Sequence, residues 1–131
     1  MSVIITLSSS IIHTHPSLFT RVKKDVDIHI LMISVIVPAY NKCDEIEKAL
    51  VELIEVMERV GEYEIVVVDD GSYDGTSTVL RRLGREYELT CVFLERNVGK
   101  GNAIREGFLR SKGDIVVFTD ADRDLPPSQI P

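Results

Sequence analysis

The sequence predicts an α/β fold, a doubly wound parallel sheet of four strands in the order 3-2-1-4. Three observations carry that prediction. From Ile33 onward, short apolar runs alternate with helical patterns, and strand–helix–strand repeats close into parallel sheets through right-handed crossovers. One run, Ile65-Val66-Val67-Val68, is solidly β-branched, as a strand covered on both faces requires. Two runs end on acidic groups, Asp69-Asp70 and Asp120-Ala121-Asp122, and such sheets bind ligands beyond the carboxyl ends of their strands.

The elements follow in order. The first strand covers residues 33–37 and ends at Pro38. Asp44 is placed to cap the next helix, with Glu47 as its capping-box partner. Ile46, Leu50, Leu53, Met57 and Val60 recur at helical spacing as its buried face, and Gly61 stops it. A second strand spans residues 64–68. Asp74-Gly75-Thr76 starts a second helix with Val79, Leu80 and Leu83 inward, and a third strand spans about residues 90–94. The third helix, near residues 101–111, presents Ile104 and Phe108 and is closed by Gly113; the fourth strand is 114–119.

Residues 1–31 keep neither period and stand apart, with Met32 where an initiator would stand, so they are expected to be a non-native or disordered extension outside the sheet. His13 and His15 lack a third ligand and read as incidental. The net charge of −6 argues against a nucleic-acid partner held by a general basic surface. Cys43 and Cys91 form no CxxC pair and fit plain thiols of a reducing compartment. No apolar stretch approaches the ~20 residues of a membrane span. A cytoplasmic chain is expected, with peripheral attachment at the membrane's cytoplasmic face left open.

With the order 3-2-1-4, the first and fourth strands are neighbours where the order reverses. Pro38-Ala39-Tyr40-Asn41 then stands beside Asp120-Ala121-Asp122, with Asp69-Asp70 one strand away. Two carboxylates flanking one small residue suit Mg2+ or Mn2+, which in turn can hold a diphosphate. Asp70 can accept hydrogen bonds from a base or a ribose hydroxyl, and Tyr40 offers a ring for stacking. Gly71, Gly75, Gly99 and Gly101 allow close backbone approach, although Gly101 equally shapes a turn. Asp74 is most simply a helix cap. Lys100 and Arg105 fit a solvated face and a set of phosphate contacts equally well.

Four motifs in order carry a resemblance: Val37-Pro38-Ala39-Tyr40-Asn41; Val68-Asp69-Asp70-Gly71-Ser72 with Asp74-Gly75-Thr76; Asn97-Val98-Gly99-Lys100-Gly101-Asn102-Ala103; and Asp120-Ala121-Asp122. Over residues 33–131 the chain resembles family 2 glycosyltransferases of the GT-A fold, and among them the enzymes that move mannose or glucose onto dolichyl phosphate. The resemblance implies that Pro38, Tyr40, Val68 and Asp70 line the nucleoside pocket; Ala39 and Lys100 are expected among the nucleotide-sugar-binding residues. It implies that Asp120, Ala121 and Asp122 hold diphosphate and metal. Two positions depart from the family pattern. Lys42 stands where Glu is frequent, removing one ribose contact, and Asp124 stands where Gln is frequent, offering the metal a further carboxylate.

The expected function is metal-dependent transfer from a UDP- or GDP-hexose to a polyprenyl phosphate. The family's second half, which supplies the acceptor site and any catalytic base, is not among these residues, so residues 32–131 are expected to be a truncated donor half and no catalytic residue is assigned. A homo-oligomer, pairing at an open sheet edge, or a complementing C-terminal half is the partner such a half invites. A non-catalytic nucleotide-binding remnant is the alternative. A receiver-like phosphoacceptor module ranks far below, because Pro38 follows the first strand and Glu95-Arg96 the third.

Overall fold

The computed structural model describes residues 4–7 and 31–119. Five strands and three helices follow in order: β1 (Ile4–Leu7), β2 (Ile33–Ala39), α1 (Ile46–Met57), β3 (Tyr63–Asp69), α2 (Thr76–Glu86), β4 (Thr90–Phe93), α3 (Lys100–Arg110) and β5 (Ile115–Phe118). The sheet order is β1-β5-β2-β3-β4. Strands β5, β2, β3 and β4 run parallel, which is the predicted order 3-2-1-4. Strand β1 lies antiparallel on the outer edge of β5, with Ile4 opposite Phe118 and Leu7 opposite Ile115. The expectation that residues 1–31 stand wholly outside the sheet is therefore corrected for residues 4–7. Four residues, three of them apolar, add a strand to an edge that would otherwise stay open.

Side chains alternate across the sheet. Val35, Val37 and Ala39 of β2 and Ile65 and Val67 of β3 face α1 and α2, in a core with Ile46, Leu50, Leu53, Leu80 and Leu83. Ile36, Val66, Val68, Val92 and Val116 face the other way, onto Ala103 of α3. Each fully buried aliphatic side chain contributes about 1.5–3 kcal/mol relative to exposure, so this double-faced core is what makes residues 35–37 and 65–68 run without a polar break.

Three local expectations change. Asp44 does not cap α1. The N-cap is Glu45, without a side-chain bond, because the Lys42 carbonyl already accepts from the amides of Glu45 (3.0 Å) and Ile46 (2.8 Å). Glu47 reaches across to Arg82 instead, at 2.6 Å. Val60 falls beyond the helix and is 52% exposed. In α3 the buried positions are Ala103 and Gly107 rather than Ile104 and Phe108, the latter 41% exposed. The reason is closeness: a Cβ on Gly107 would stand 2.6 Å from Ile36 Cγ2, so the helix meets the sheet through its small residues.

Candidate functional site

Pro38 decides where the crevice opens. In a parallel ladder alternate residues of β2 bond to alternate neighbours. Asp70 N–H donates to the Ala39 carbonyl at 2.8 Å, whereas Thr119 N–H donates to the Ile36 carbonyl at 3.0 Å. Ile36 thus bonds toward β5, and Pro38, two residues on, is the next position directed there. It has no N–H to give, so the rung that would follow Thr119 lacks its donor. Among the described residues the β2–β5 pairing runs to Ile36 opposite Phe118, while β2 continues beside β3 to Ala39 opposite Asp69. This is the point at which the strand order reverses, where doubly wound sheets bind ligands.

Around it three loops are tied together. Asp70, 3% exposed, accepts the amides of Val98 at 2.8 Å and Gly99 at 3.1 Å on its two carboxylate oxygens, and its carbonyl accepts from Asn97 Nδ2 at 3.3 Å. Those amides open α3, where partial positive charge favours an anion. Its first duty is therefore to fix the loop after β4. A carboxylate has about four lone-pair sites, so acceptor capacity remains for a ligand. Gly71 makes the junction possible: its φ is +71°, and a Cβ there would stand 2.3 Å from the Arg96 carbonyl carbon.

The loop after β2 is tied to the loop after β3. Asn41, in the left-handed region at φ 51°, donates its N–H to Ser72 Oγ at 2.9 Å, and its Oδ1 accepts from Tyr73 N–H at 3.0 Å. Lys42 N–H donates to Thr76 Oγ1 at 2.8 Å and Cys43 N–H to Asp74 Oδ2 at 3.2 Å. Asp74 also accepts from Thr76 N–H at 3.0 Å, which satisfies an amide at the start of α2. Burial pushes the Asp74 carboxyl up, yet the bonds from the Thr76 hydroxyl and the Cys43 and Thr76 amides prevail and hold it at about 2. The N-cap position of α2 is Gly75, without a side-chain cap bond, so the cap role read from the sequence is corrected: Asp74 stands one residue earlier and ties the first amide of the helix to the neighbouring loop.

The structure brings Pro38, Ala39, Tyr40, Val68 and Asp70 to one end of the sheet, Tyr40 being 39% exposed at the strand end. Lys100 opens α3 at the same end. Arg105 lies further along the helix, in a cavity of about 240 Å³ shared with Leu94, Val98, Asn102 and Glu106. Asp120, Ala121, Asp122 and Asp124 lie outside the described residues. Among the described residues no group of three or more His, Cys, Asp or Glu side chains could hold a metal ion. The sequence reading missed Tyr73, whose ring stands 6.2 Å from that of Tyr40 at 76°; an aromatic residue amid small turn formers was the available signal. A separate cleft of about 390 Å³ lies between Tyr63 and Tyr87 at the amino ends of β3 and β4, away from the acidic strand ends.

Such an arrangement is a doubly wound α/β domain whose crevice lies at the switch point, where sheets of this kind bind ligands. The family model for glycosyl transferase family 2 matches residues 34–131, and the chain belongs to that family. Among curated proteins it is 40% identical over 105 residues to the undecaprenyl-phosphate 4-deoxy-4-formamido-L-arabinose transferase of Edwardsiella ictaluri, covering 78% of this chain and 32% of that protein. It is 35% identical to the transferase of the same name from Aeromonas hydrophila, over 78% of this chain and 32% of the other. The chain thus spans about a third of the length of the curated relatives it matches.

Among solved structures, the mannosyltransferase PcManGT from Pyrobaculum calidifontis, in complex with GDP-Man and Mn2+, superposes with a TM-score of 0.63 at 38% identity, over 69% of this chain and 27% of that one. S. aureus TarS 1-349 in complex with UDP-GlcNAc gives 0.62 at 33% identity, over 70% and 27%.

Proposed function

We propose that residues 32–131 are the donor-binding part of a glycosyltransferase that takes a sugar from a nucleoside diphosphate, UDP or GDP, and delivers it to a polyprenyl phosphate. The observation that carries the reading is the convergence of Tyr40, Val68 and Asp70 beside the gap opened by Pro38. Support for the donor comes from the relatives solved with GDP-Man and UDP-GlcNAc, and for the acceptor from those named as undecaprenyl-phosphate transferases. In this reading Tyr40 stacks on the base, Asp70 accepts from its edge or from the ribose, and Gly71 lets the loops close without a side chain between them. Lys100, at the start of α3, lies on the diphosphate side.

Asp120, Asp122 and Asp124 are the residues that would hold Mg2+ or Mn2+, following directly on β5. Of the carboxylates described in the crevice, Asp70 is engaged by two amides and Asp69 accepts from Ser72 N–H at 3.2 Å. A bound cation would neutralise the diphosphate that leaves. A phosphate acceptor is already ionised, so transfer to it requires no base, and none is assigned. A lipid acceptor places the work at a membrane, here its cytoplasmic face; no helix among the described residues is long and apolar enough to cross one.

Calorimetry with UDP and GDP, each with Mn2+ and with chelator, tests the metal-dependent donor site. Binding is expected with Mn2+ and should weaken at least about tenfold with chelator or in Asp122→Ala, because two phosphates and the acidic triplet repel without a cation. Equal affinity under all three conditions contradicts the metal site.

A further inference from the structure

We propose that Tyr73 is a second aromatic wall of the base pocket, paired with Tyr40 and held there by Asn41; the proposal rests on the donor-binding reading above. Tyr73 is 82% exposed, an unusual place for a large ring unless something covers it, yet it does not hang on a loose loop tip. Its backbone N–H is bound to Asn41 Oδ1, and Asn41 is itself fixed by Ser72 and sits in the left-handed region. The residue after Tyr73 is anchored as well, Asp74 accepting from Cys43 and Thr76.

The pair is edge-to-face, with centroids 6.2 Å apart at 76°. In that geometry the ring that gives its edge keeps both faces free, and the other keeps one. A planar base entering beside Tyr40 therefore meets an aromatic surface already in position, with little further ordering of the protein. Asp70 begins the same loop, three residues before Tyr73, and lends acceptor capacity to the base edge. A nucleobase suits such a site because every base has a π-face that can stack on an aromatic ring.

The test compares wild type, Tyr73→Ala and Tyr73→Phe by calorimetry with UDP, GDP and inorganic pyrophosphate, all with Mn2+, after circular dichroism has confirmed the fold of each. Tyr73→Ala is expected to weaken UDP or GDP binding about tenfold and leave pyrophosphate unchanged, while Tyr73→Phe keeps wild-type affinity. Equal nucleotide affinity in Tyr73→Ala overturns the proposal and leaves the donor-binding reading intact. A parallel loss of pyrophosphate binding also overturns it, since the effect would then not be on the base. Failure of wild type to bind any of the nucleotides overturns the donor-binding reading itself and this proposal with it.

Discussion

At the scale of single residues, acidic side chains serve two purposes in one place. Asp70 fixes the start of α3 and Asp74 the start of α2, so both help build the crevice as well as charge it. Because the Asp74 carboxyl lies at about 2, below its unfolded value near 3.9, its contribution to stability is complete above about pH 4. It is lost as pH falls toward 2. Urea unfolding at several pH values should show this loss in wild type and not in Asp74→Ala, which at neutral pH should already be less stable by about 1 kcal/mol. Gly71→Ala meets both a positive φ and a contact of 2.3 Å with the Arg96 backbone, and should destabilise by at least about 1–3 kcal/mol in the same assay. Residue types were legible in the sequence; their first partners were not. Asp70 read as a ligand contact because nothing in its own segment shows that the amides of Val98 and Gly99, nearly thirty residues later, arrive beside it.

At the scale of elements, the strands and helices of residues 33–119 fall close to where periodicity put them, and the parallel order follows from the solid run Ile65 to Val68. What periodicity missed is depth. Ile104 and Phe108 satisfy a helical apolar pattern, but α3 lies so near the sheet that only Ala103 and Gly107 fit beneath it. Gly107→Val should therefore cost about 1–3 kcal/mol by overpacking against Ile36 and Val68, read as a lowered urea midpoint, whereas Phe108→Ala on the more exposed side should cost less. Strand β1 was missed because four residues are too few to show a period, and their pairing to β5 depends on an edge that no local signal announces.

At the scale of the whole molecule, three loops from β2, β3 and β4 are hydrogen-bonded to one another in a rim beside Pro38, and the family's motifs fall on it. The residues proposed to hold the metal were legible only as a motif, Asp120-Ala121-Asp122, and lie outside the described residues. The chain of residues 1–131 alone is expected to bind donor nucleotide and to give no measurable sugar transfer to a polyprenyl phosphate. Acceptor alignment can lower a barrier by about 7–11 kcal/mol, and the family resemblance implies an acceptor site outside residues 32–131. A radiolabelled-sugar assay on the purified chain decides the point, and robust transfer by it would mean that an acceptor site is already complete.

The central claim, that the rim at the carboxyl ends of β2, β3 and β4 is the nucleotide site, is tested most directly by amide NMR spectra of the chain titrated with UDP and with GDP in the presence of Mg2+. The account predicts saturable shifts concentrated at residues 39–42, 70–76 and 97–101, with the amino-terminal cleft near Tyr63 and Tyr87 unmoved. Shifts confined to that cleft, or none with either nucleotide, would contradict it.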